Sequence, residues 1–200
     1  MAQLPQIKKG YIRGVLGILV TGLNADGTIP GSPTKVGIKT AQEAGVDLTV
    51  VDGEAATLKG GNKVLAYVKD ADTVVGGKIK VKEARFDAKA IQTIQGGTLV
   101  EVVEGADTRI VGWEAPTVAA QQTPPVFQAE VYAQAHGSRG EKEGYLKYTF
   151  PFARGKFTGE TVADGEWTAP EFEFEFFENP STTGGSYKKE FVSALPAELQ

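Results

Sequence analysis

The chain has 200 residues, of which 41% are hydrophobic and 23% are charged, and its formal net charge is −4. This length is sufficient for one substantial hydrophobic core. The mildly acidic balance disfavours general electrostatic binding of nucleic acid, which needs a basic surface, and the absence of cysteine excludes disulfides and thiolate metal sites.

The first 33 residues are rich in turn-forming residues, and we predict an N-terminal arm over 1–33. The run GVLGILVTG at 14–22 follows basic residues, as the apolar part of a signal peptide would. It is too short to span a bilayer, and the TGLNADG that follows is typical of a turn, not of a cleavage site. We therefore expect no cleaved signal and no membrane-spanning segment.

From residue 35 onward, short runs of β-branched and aromatic residues alternate with turn pairs such as DG, GG and NP. This pattern predicts a mainly β, antiparallel sandwich or barrel. We assign residues 34–193 to one β-rich domain and residues 194–200 to a C-terminal tail. The predicted strands cover 35–41, 46–51, 63–69, 78–86, 98–105, 108–115, 126–135, 145–152 and 171–177.

One segment, FDAKAIQTIQGG at 86–97, has a helical period. Asp87 can cap the N-terminus, while Ala90, Ile91 and Ile94 share one face of the helix. The glycine pair at the end is a typical helix stop. We predict a single short α-helix that packs against the sheet.

Groups that could perform catalysis are sparse. The one histidine, His136, lies in a polar, glycine-rich stretch, so no second histidine exists for a two-histidine metal site. A dinucleotide-binding glycine fingerprint is absent. Carboxylate pairs could still perform glycosidase chemistry, although acidic residues on a strand are typical of a solvated face. We predict that the protein is not an enzyme and has no cofactor or metal.

The run EFEFEFF at 171–177 is the most strongly patterned stretch. Alternate side chains of a strand point to opposite faces, so the first three phenylalanines share one face and the three glutamates share the other. We predict that these phenylalanines are buried, since burying each one contributes about 1.5–3 kcal/mol. Phe177 falls on the glutamate side, which predicts a bulge or a covered edge. The two sets are Phe172, Phe174 and Phe176, and Glu171, Glu173 and Glu175.

Two interpretations of the glutamate face stay open. The first is an ordinary solvated surface, because charged side chains mostly face water. The second starts from the absence of lysine and arginine across residues 160–178, which contain seven acidic residues. A surface of one sign repels a polyanion, which is useful where DNA must pass without binding.

A basic counterpart occurs in KIKVKE at 78–83, where Lys78, Lys80 and Lys82 share one face of a predicted strand. Opposite charges that face each other across neighbouring strands favour pairing. We therefore predict that the lysine strand lies beside the glutamate strand, either within one subunit or across a subunit boundary.

The order of these segments resembles the major tail (tail tube) proteins of long, non-contractile-tailed bacteriophages. The resemblance covers roughly residues 35–190 and is one of layout. Strands are followed by one helix that ends in GG, then by Y-x-F-P at 148–151 and G-K-F at 155–157. The run D-G-x-W-x-A-P-E-F at 164–172 leads into the last long strand, ahead of N-P.

The resemblance implies a virion structural subunit without a cofactor. Tail tube subunits form a β-sandwich with a flanking helix and join into hexameric rings, whose inner sheets close into one β-barrel around a channel. Rings stack through a long hairpin and the terminal arms, and genomic DNA passes through the tube during ejection without specific binding. On this basis Glu171, Glu173 and Glu175 are candidates for the channel wall. Tape-measure and tail-tip proteins are the implied partners, in a tail assembled in the host cytoplasm.

The candidate for the stacking hairpin is the 52–77 region, in which two glycine pairs permit tight turns and close backbone approach. The alternative is an ordinary hairpin within one subunit. The residues that define the candidate are Asp52, Gly60, Gly61, Asn62, Gly76 and Gly77.

Two other function classes share the β-rich, cysteine-free profile. One is a different virion structural protein, such as a capsid decoration or tail-terminator protein. The other is a carbohydrate-binding β-sandwich module, which usually presents a planar row of aromatic side chains. Trp113 and Trp167 lie in separate segments, so this module would require the fold to bring both together on the surface.

Overall fold

The computed structural model describes residues 10–105, 107–117 and 123–200. Within these residues the chain is mostly β, with antiparallel sheets, one short α-helix and a short 3-10 helix at Ala197–Leu199, which confirms the predicted fold class. The elements are β1 (Tyr11–Gly22), β2 (Lys35–Ile38), β3 (Ala41–Val51), β4 (Ala55–Gly60), β5 (Lys63–Lys69), β6 (Thr73–Glu83), α1 (Ala88–Gln95), β7 (Thr98–Glu104), β8 (Asp107–Glu114), β9 (Phe127–His136), β10 (Lys142–Gly159), β11 (Glu171–Phe177) and β12 (Lys188–Val192).

Eight strands form one antiparallel sheet in the order β2–β1–β9–β10–β11–β6–β3, with β12 paired to β10. The 18-residue β10 connects two parts of this sheet. Its first part pairs with β9 as far as Ala153, and its last part, from Phe152, pairs with β11. Side chains from both parts meet in a single core, as in a β-sandwich. We call the part formed by residues 152–159, β11, β6 and β3 the charged sheet.

The core is rich in aromatic side chains, and it contains the phenylalanines that the alternating pattern predicted to be buried. Phe172, Phe174 and Phe176 are at most 2% exposed, which confirms that prediction. The ring of Phe174 packs edge-on against Phe127 with centroids 5.2 Å apart, and Phe176 packs against Phe150 at 4.7 Å. These contacts join β11 to β9 and β10, so the two parts of the sheet share one aromatic interior.

The predicted helix is confirmed as α1. The Asp87 side chain accepts hydrogen bonds from the backbone N–H groups of Lys89 and Ala90, at 2.9 and 3.2 Å. Ile91 and Ile94 are buried. Gly155 of β10 permits this packing, because a Cβ atom at that position would overlap with the side chain of Ile94.

The predicted N-terminal arm is wrong for residues 11–22. This segment is β1, which lies between β2 and β9 in the sheet and buries Ile18 and Val20 completely. Residues 1–9 lie outside the described residues. The predicted C-terminal tail is also packed: its Leu199 is 8% exposed and contacts Leu19 of β1. Both ends of the described chain therefore belong to the domain.

Two hairpins leave the main sheet. The β3–β6 pairing runs as far as Val51 opposite Thr73, and the chain between these residues continues as the β4–β5 hairpin. The second hairpin, β7–β8, follows the helix. The predicted bulge or edge at Phe177 is wrong, because Phe177 continues the register of a strand that lies inside the sheet. It is 43% exposed on the face opposite the core.

Candidate assembly surfaces

The glutamate strand β11 and the lysine strand β6 are neighbours in one copy of the chain. Their antiparallel register places Glu175 opposite Lys78 and Glu173 opposite Lys80, and Glu171 lies opposite Lys82 in the same way. The predicted adjacency of the two strands is therefore confirmed, and it is satisfied within one subunit. The role of these residues in a channel wall stays a prediction.

The two outer strands of the charged sheet continue the alternation of sign. On β10, Arg154 lies opposite Glu175 and Lys156 lies opposite Glu173. On β3, Asp47 lies opposite Lys78 and Glu43 lies opposite Lys82. The strands are thus basic, acidic, basic and acidic in the order β10, β11, β6 and β3. One row across the sheet consists of Arg154, Glu175, Lys78 and Asp47.

Ion pairs connect β11 to β6 and to β10 directly. The Lys78 ammonium lies 3.3 Å from Glu173 and 3.2 Å from Glu175, and Lys156 lies 3.1 Å from Glu173. Hydrogen bonds from Lys156 and Lys78 lower the pKa of Glu173, and those with Glu175 and Glu173 raise the pKa of Lys78. Both shifts favour the charged forms. This face is therefore a lattice of alternating charge, not the one-sign acidic surface considered from the sequence.

Reversing the charge of the β6 lysines provides a test of this lattice. The K78E/K80E/K82E variant would place acidic side chains between two acidic strands, so its Tm should fall, and added salt should diminish the loss because it screens exposed charges. The control R13E/R139E/K142E makes the same change of net charge at exposed positions outside the charged sheet. Thermal unfolding at low and high salt measures both. Equal Tm values for the two variants would contradict the cross-strand interpretation.

The charged sheet ends in two edges. Among the described residues, β3 pairs with no strand except β6, and residues 154–159 pair with no strand except β11. On the β10 edge the Phe157 N–H donates a hydrogen bond of 2.7 Å to the Gln95 side chain of α1. The β10 edge carries the basic side chains Arg154 and Lys156, and the β3 edge carries the acidic Glu43 and Asp47. Unpaired strand edges are templates for pairing with another chain. The two edges are therefore complementary to each other in charge.

The β3 edge also exposes apolar side chains. Val46, Leu48 and Val50 are 38–50% exposed, although their positions in the strand place them on the core side of the sheet. A cleft of about 510 Å³ separates the first half of β3 from β1, and its lining includes Ile12 and Val15. Exposed apolar surface bordered by charge is typical of a protein–protein interface.

The candidate stacking residues are divided by the fold. Gly60, Gly61 and Asn62 lie at the tip of the β4–β5 hairpin, and Asp52 lies at its base. Gly76 and Gly77 form no turn, because they lie within β6 opposite Phe177 and Phe176. A side chain at position 77 would overlap with the Phe176 ring, so this glycine pair permits close packing. The predicted hairpin therefore exists, but it is shorter than the 52–77 region.

The two tryptophans do not form an aromatic row. The indole of Trp113 donates a hydrogen bond of 2.7 Å to the carbonyl of Gly96 and packs against the core. Trp167 lies in the loop before β11 and is 99% exposed. The joint exposure that a carbohydrate-binding surface would require is not present.

No known protein-family model matches this chain, and no curated protein is significantly similar to it in sequence. In the part of the chain that the structure describes, no helix has the length and apolar character needed to cross a membrane, and no cluster of acidic or histidine side chains could hold a metal ion. His136 ends β9, with its Nδ1 atom 3.1 Å from the carbonyl oxygen of Gly140.

The edge residues Glu43, Asp47, Arg154 and Lys156 were not predicted from the sequence. A signal was present, since each pair is separated by one or three residues and so projects to one face of a strand. The order of the strands in the sheet was needed to recognise that these pairs lie at opposite edges.

Proposed function

We propose that this chain is a structural subunit of a hollow tube of the phage-tail type, in which copies join into rings and the rings stack. The observation that carries the proposal is the opposite charge of the two unpaired edges of the charged sheet. Arg154 and Lys156 on one edge are complementary to Glu43 and Asp47 on the other. The resemblance of the sequence to tail tube proteins agrees with this geometry.

Edge-to-edge addition would extend the pattern already present in one copy. If the β3 edge of one subunit lies beside the β10 edge of the next, the alternation of basic and acidic strands continues across the boundary. The interface is heterologous, because the two contacting surfaces differ, and heterologous contacts that close generate rings. Ring closure would also cover the strand edges. The resemblance suggests six subunits in each ring.

The proposal assigns the two faces of the charged sheet to different environments. The phenylalanine face is buried in the core, so the opposite face, with Glu171, Glu173 and Glu175, would line the channel. In this protein the wall would be a lattice of alternating charge, because β6 lysines lie between the acidic strands. Such a wall has no excess of positive charge with which to bind DNA. DNA would pass through such a channel, in a virion tail with tape-measure and tail-tip proteins as partners.

Complementary charge-reversal variants test the edge contact. R154E/K156E makes both edges acidic, and E43K/D47K makes both edges basic, so neither variant should form rings alone. A 1:1 mixture should assemble, because alternating copies restore a basic edge beside an acidic edge at every junction. Negative-stain electron microscopy and light scattering across a concentration series measure assembly, with the R139E/K142E variant of the β9–β10 turn as the control.

Each variant must first be shown to be folded, by a cooperative unfolding transition. Hollow rings or tubes from the wild type and from the mixture, but from neither edge variant alone, support the proposal. Tubes from either edge variant alone refute the edge contact. Monomers or trimers of the wild type at every concentration refute the tube and favour a decoration protein.

A further inference from the structure

Two hairpins that extend from the main sheet carry opposite charge. The β4–β5 hairpin contains three basic residues and no acidic residue, and the β7–β8 hairpin contains four acidic residues and one basic residue. The basic set is Lys59, Lys63 and Lys69, and the acidic set is Glu101, Glu104, Asp107 and Glu114, with Arg109 as the single cation.

Most of these charges are not neutralised within one copy. Lys69 pairs with Asp72 at 2.9 Å, and Arg109 pairs with Glu104 at 3.6 Å. Within the described ranges the remaining members of both sets have no oppositely charged group within 4 Å, and all of them are exposed. The tip of one hairpin is therefore left basic and the other hairpin is left acidic.

Both hairpins also expose large apolar side chains. Leu58, Leu65 and Tyr67 of β4–β5 are 60–64% exposed. On β7–β8, Val102 is 41% exposed and Val103 is 69% exposed. An isolated two-stranded hairpin is marginally stable in water, and clustered apolar side chains on a surface mark an interaction site. Each hairpin thus has the properties of a surface that is covered by another chain.

Neither hairpin is paired with the other in a single copy. In the described part of the chain, β4 pairs only with β5, and β7 pairs only with β8. We infer that the acidic β7–β8 hairpin of one copy is the docking surface for the basic β4–β5 hairpin of a second copy. This inference rests on the proposed self-assembly and names the receiving surface for the predicted stacking hairpin. We assign the β4–β5 hairpin to this docking surface because of its charge: the lysines at positions 59 and 63 are complementary to the unpaired carboxylates of the β7–β8 hairpin.

The geometry of such a contact suits a repeating assembly. Each copy would contribute one hairpin and receive one, so the contact is heterologous and can continue from ring to ring along an axis. It involves different residues from the edge contact within a ring. Changes to the hairpins should therefore separate rings from one another and leave each ring closed.

Site-directed cross-linking tests this docking directly, because the natural chain contains no cysteine. A Leu58→Cys protein that carries a size tag is mixed with an untagged Val102→Cys protein, assembled and oxidised. The expected result is a disulfide-linked band of tagged and untagged chains, visible on a non-reducing gel. The matched control replaces Val102→Cys with Thr182→Cys, which is exposed in a different loop and should give a several-fold weaker band.

Charge reversal in the same assay tests the basis of recognition. Lys63 lies on the same face of its hairpin as Leu58, and Glu114 lies on the same face of its hairpin as Val102. K63E in the tagged chain should therefore lower the yield of the mixed disulfide, and E114K in the untagged chain should restore it. Electron microscopy of the same samples reports the rings independently. Rings with a mixed disulfide no stronger than the Thr182→Cys control would overturn this inference and leave the ring proposal intact. A specific mixed disulfide without rings would refute the ring proposal alone.

Discussion

Replacing Phe174 with alanine is expected to lower the free energy of unfolding by about 3–5 kcal/mol, the usual cost of truncating a buried phenylalanine. The side chain is fully buried, and its ring packs edge-on against Phe127 and also contacts the Phe172 ring. The cavity would lie where α1, β9 and β11 meet, because the side chains of Ile94, Phe127 and Phe174 all lie over Gly155 of the neighbouring strand. Urea denaturation monitored by circular dichroism measures the loss.

Phe177→Ala is the matched control, since it removes the same side chain from the same strand. Phe177 lies on the charged face and is 43% exposed, so its truncation should cost much less than that of Phe174. The ratio of the two losses tests the assignment of the faces of β11. Equal losses would mean that the strand is not oriented with Phe174 inward, and the charged lattice on the opposite face would then be wrong as well.

The alternation in β11 could be interpreted from the sequence because its period is local. A strand with apolar and charged residues at every second position has one buried face whatever its neighbours are. The partner strand was also predictable, since the lysines of β6 have the same spacing as the glutamates of β11 and opposite charge. In both cases a few adjacent residues carry the information.

The strand β1 could not be recognised in this way. Its central residues Ile18, Leu19 and Val20 are all buried, so the apolar run has no alternation and resembles the core of a signal peptide. The second face of β1 is covered by Leu199, which packs on Leu19 beside Tyr132. That cover is about 180 residues away in the chain, and no pattern within β1 points to it.

The charged strand edges of the candidate site could not be predicted from local sequence either. Arg154 and Lys156 are recognisable as one basic face of a strand, and Asp47 as part of an acidic one. Their meaning depends on the strand order β10–β11–β6–β3, which is set by contacts between distant segments. The glycine pair at 76–77 was assigned to a turn for a similar reason. Both glycines lie against Phe176, in a strand about 100 residues later.

One buried carboxyl group gives the fold a dependence on pH that the sequence did not indicate. Glu83 is the last residue of β6 and is only 3% exposed. One of its oxygens accepts a hydrogen bond of 3.0 Å from the Thr40 hydroxyl, and the other is buried without a partner among the described residues. Burial raises the pKa of Glu83 to about 7, an effect opposed by the hydrogen bond from Thr40 and reinforced by the charge of Asp87.

The free energy of unfolding should therefore fall as the pH rises from about 4.5 to about 7. In this window the unfolded glutamate has lost its proton and the folded one retains it, so the unfolded state binds fewer protons and gains stability with pH. The loss is about 3 kcal/mol, because each pKa unit corresponds to about 1.4 kcal/mol. Glu83→Gln should remove it, being more stable than the wild type at pH 8 and similar to it at pH 4.5. Urea denaturation at both pH values checks this, with the exposed Glu178→Gln variant as the control. If Glu83→Gln loses stability with rising pH as much as Glu178→Gln does, the pH dependence belongs to other groups.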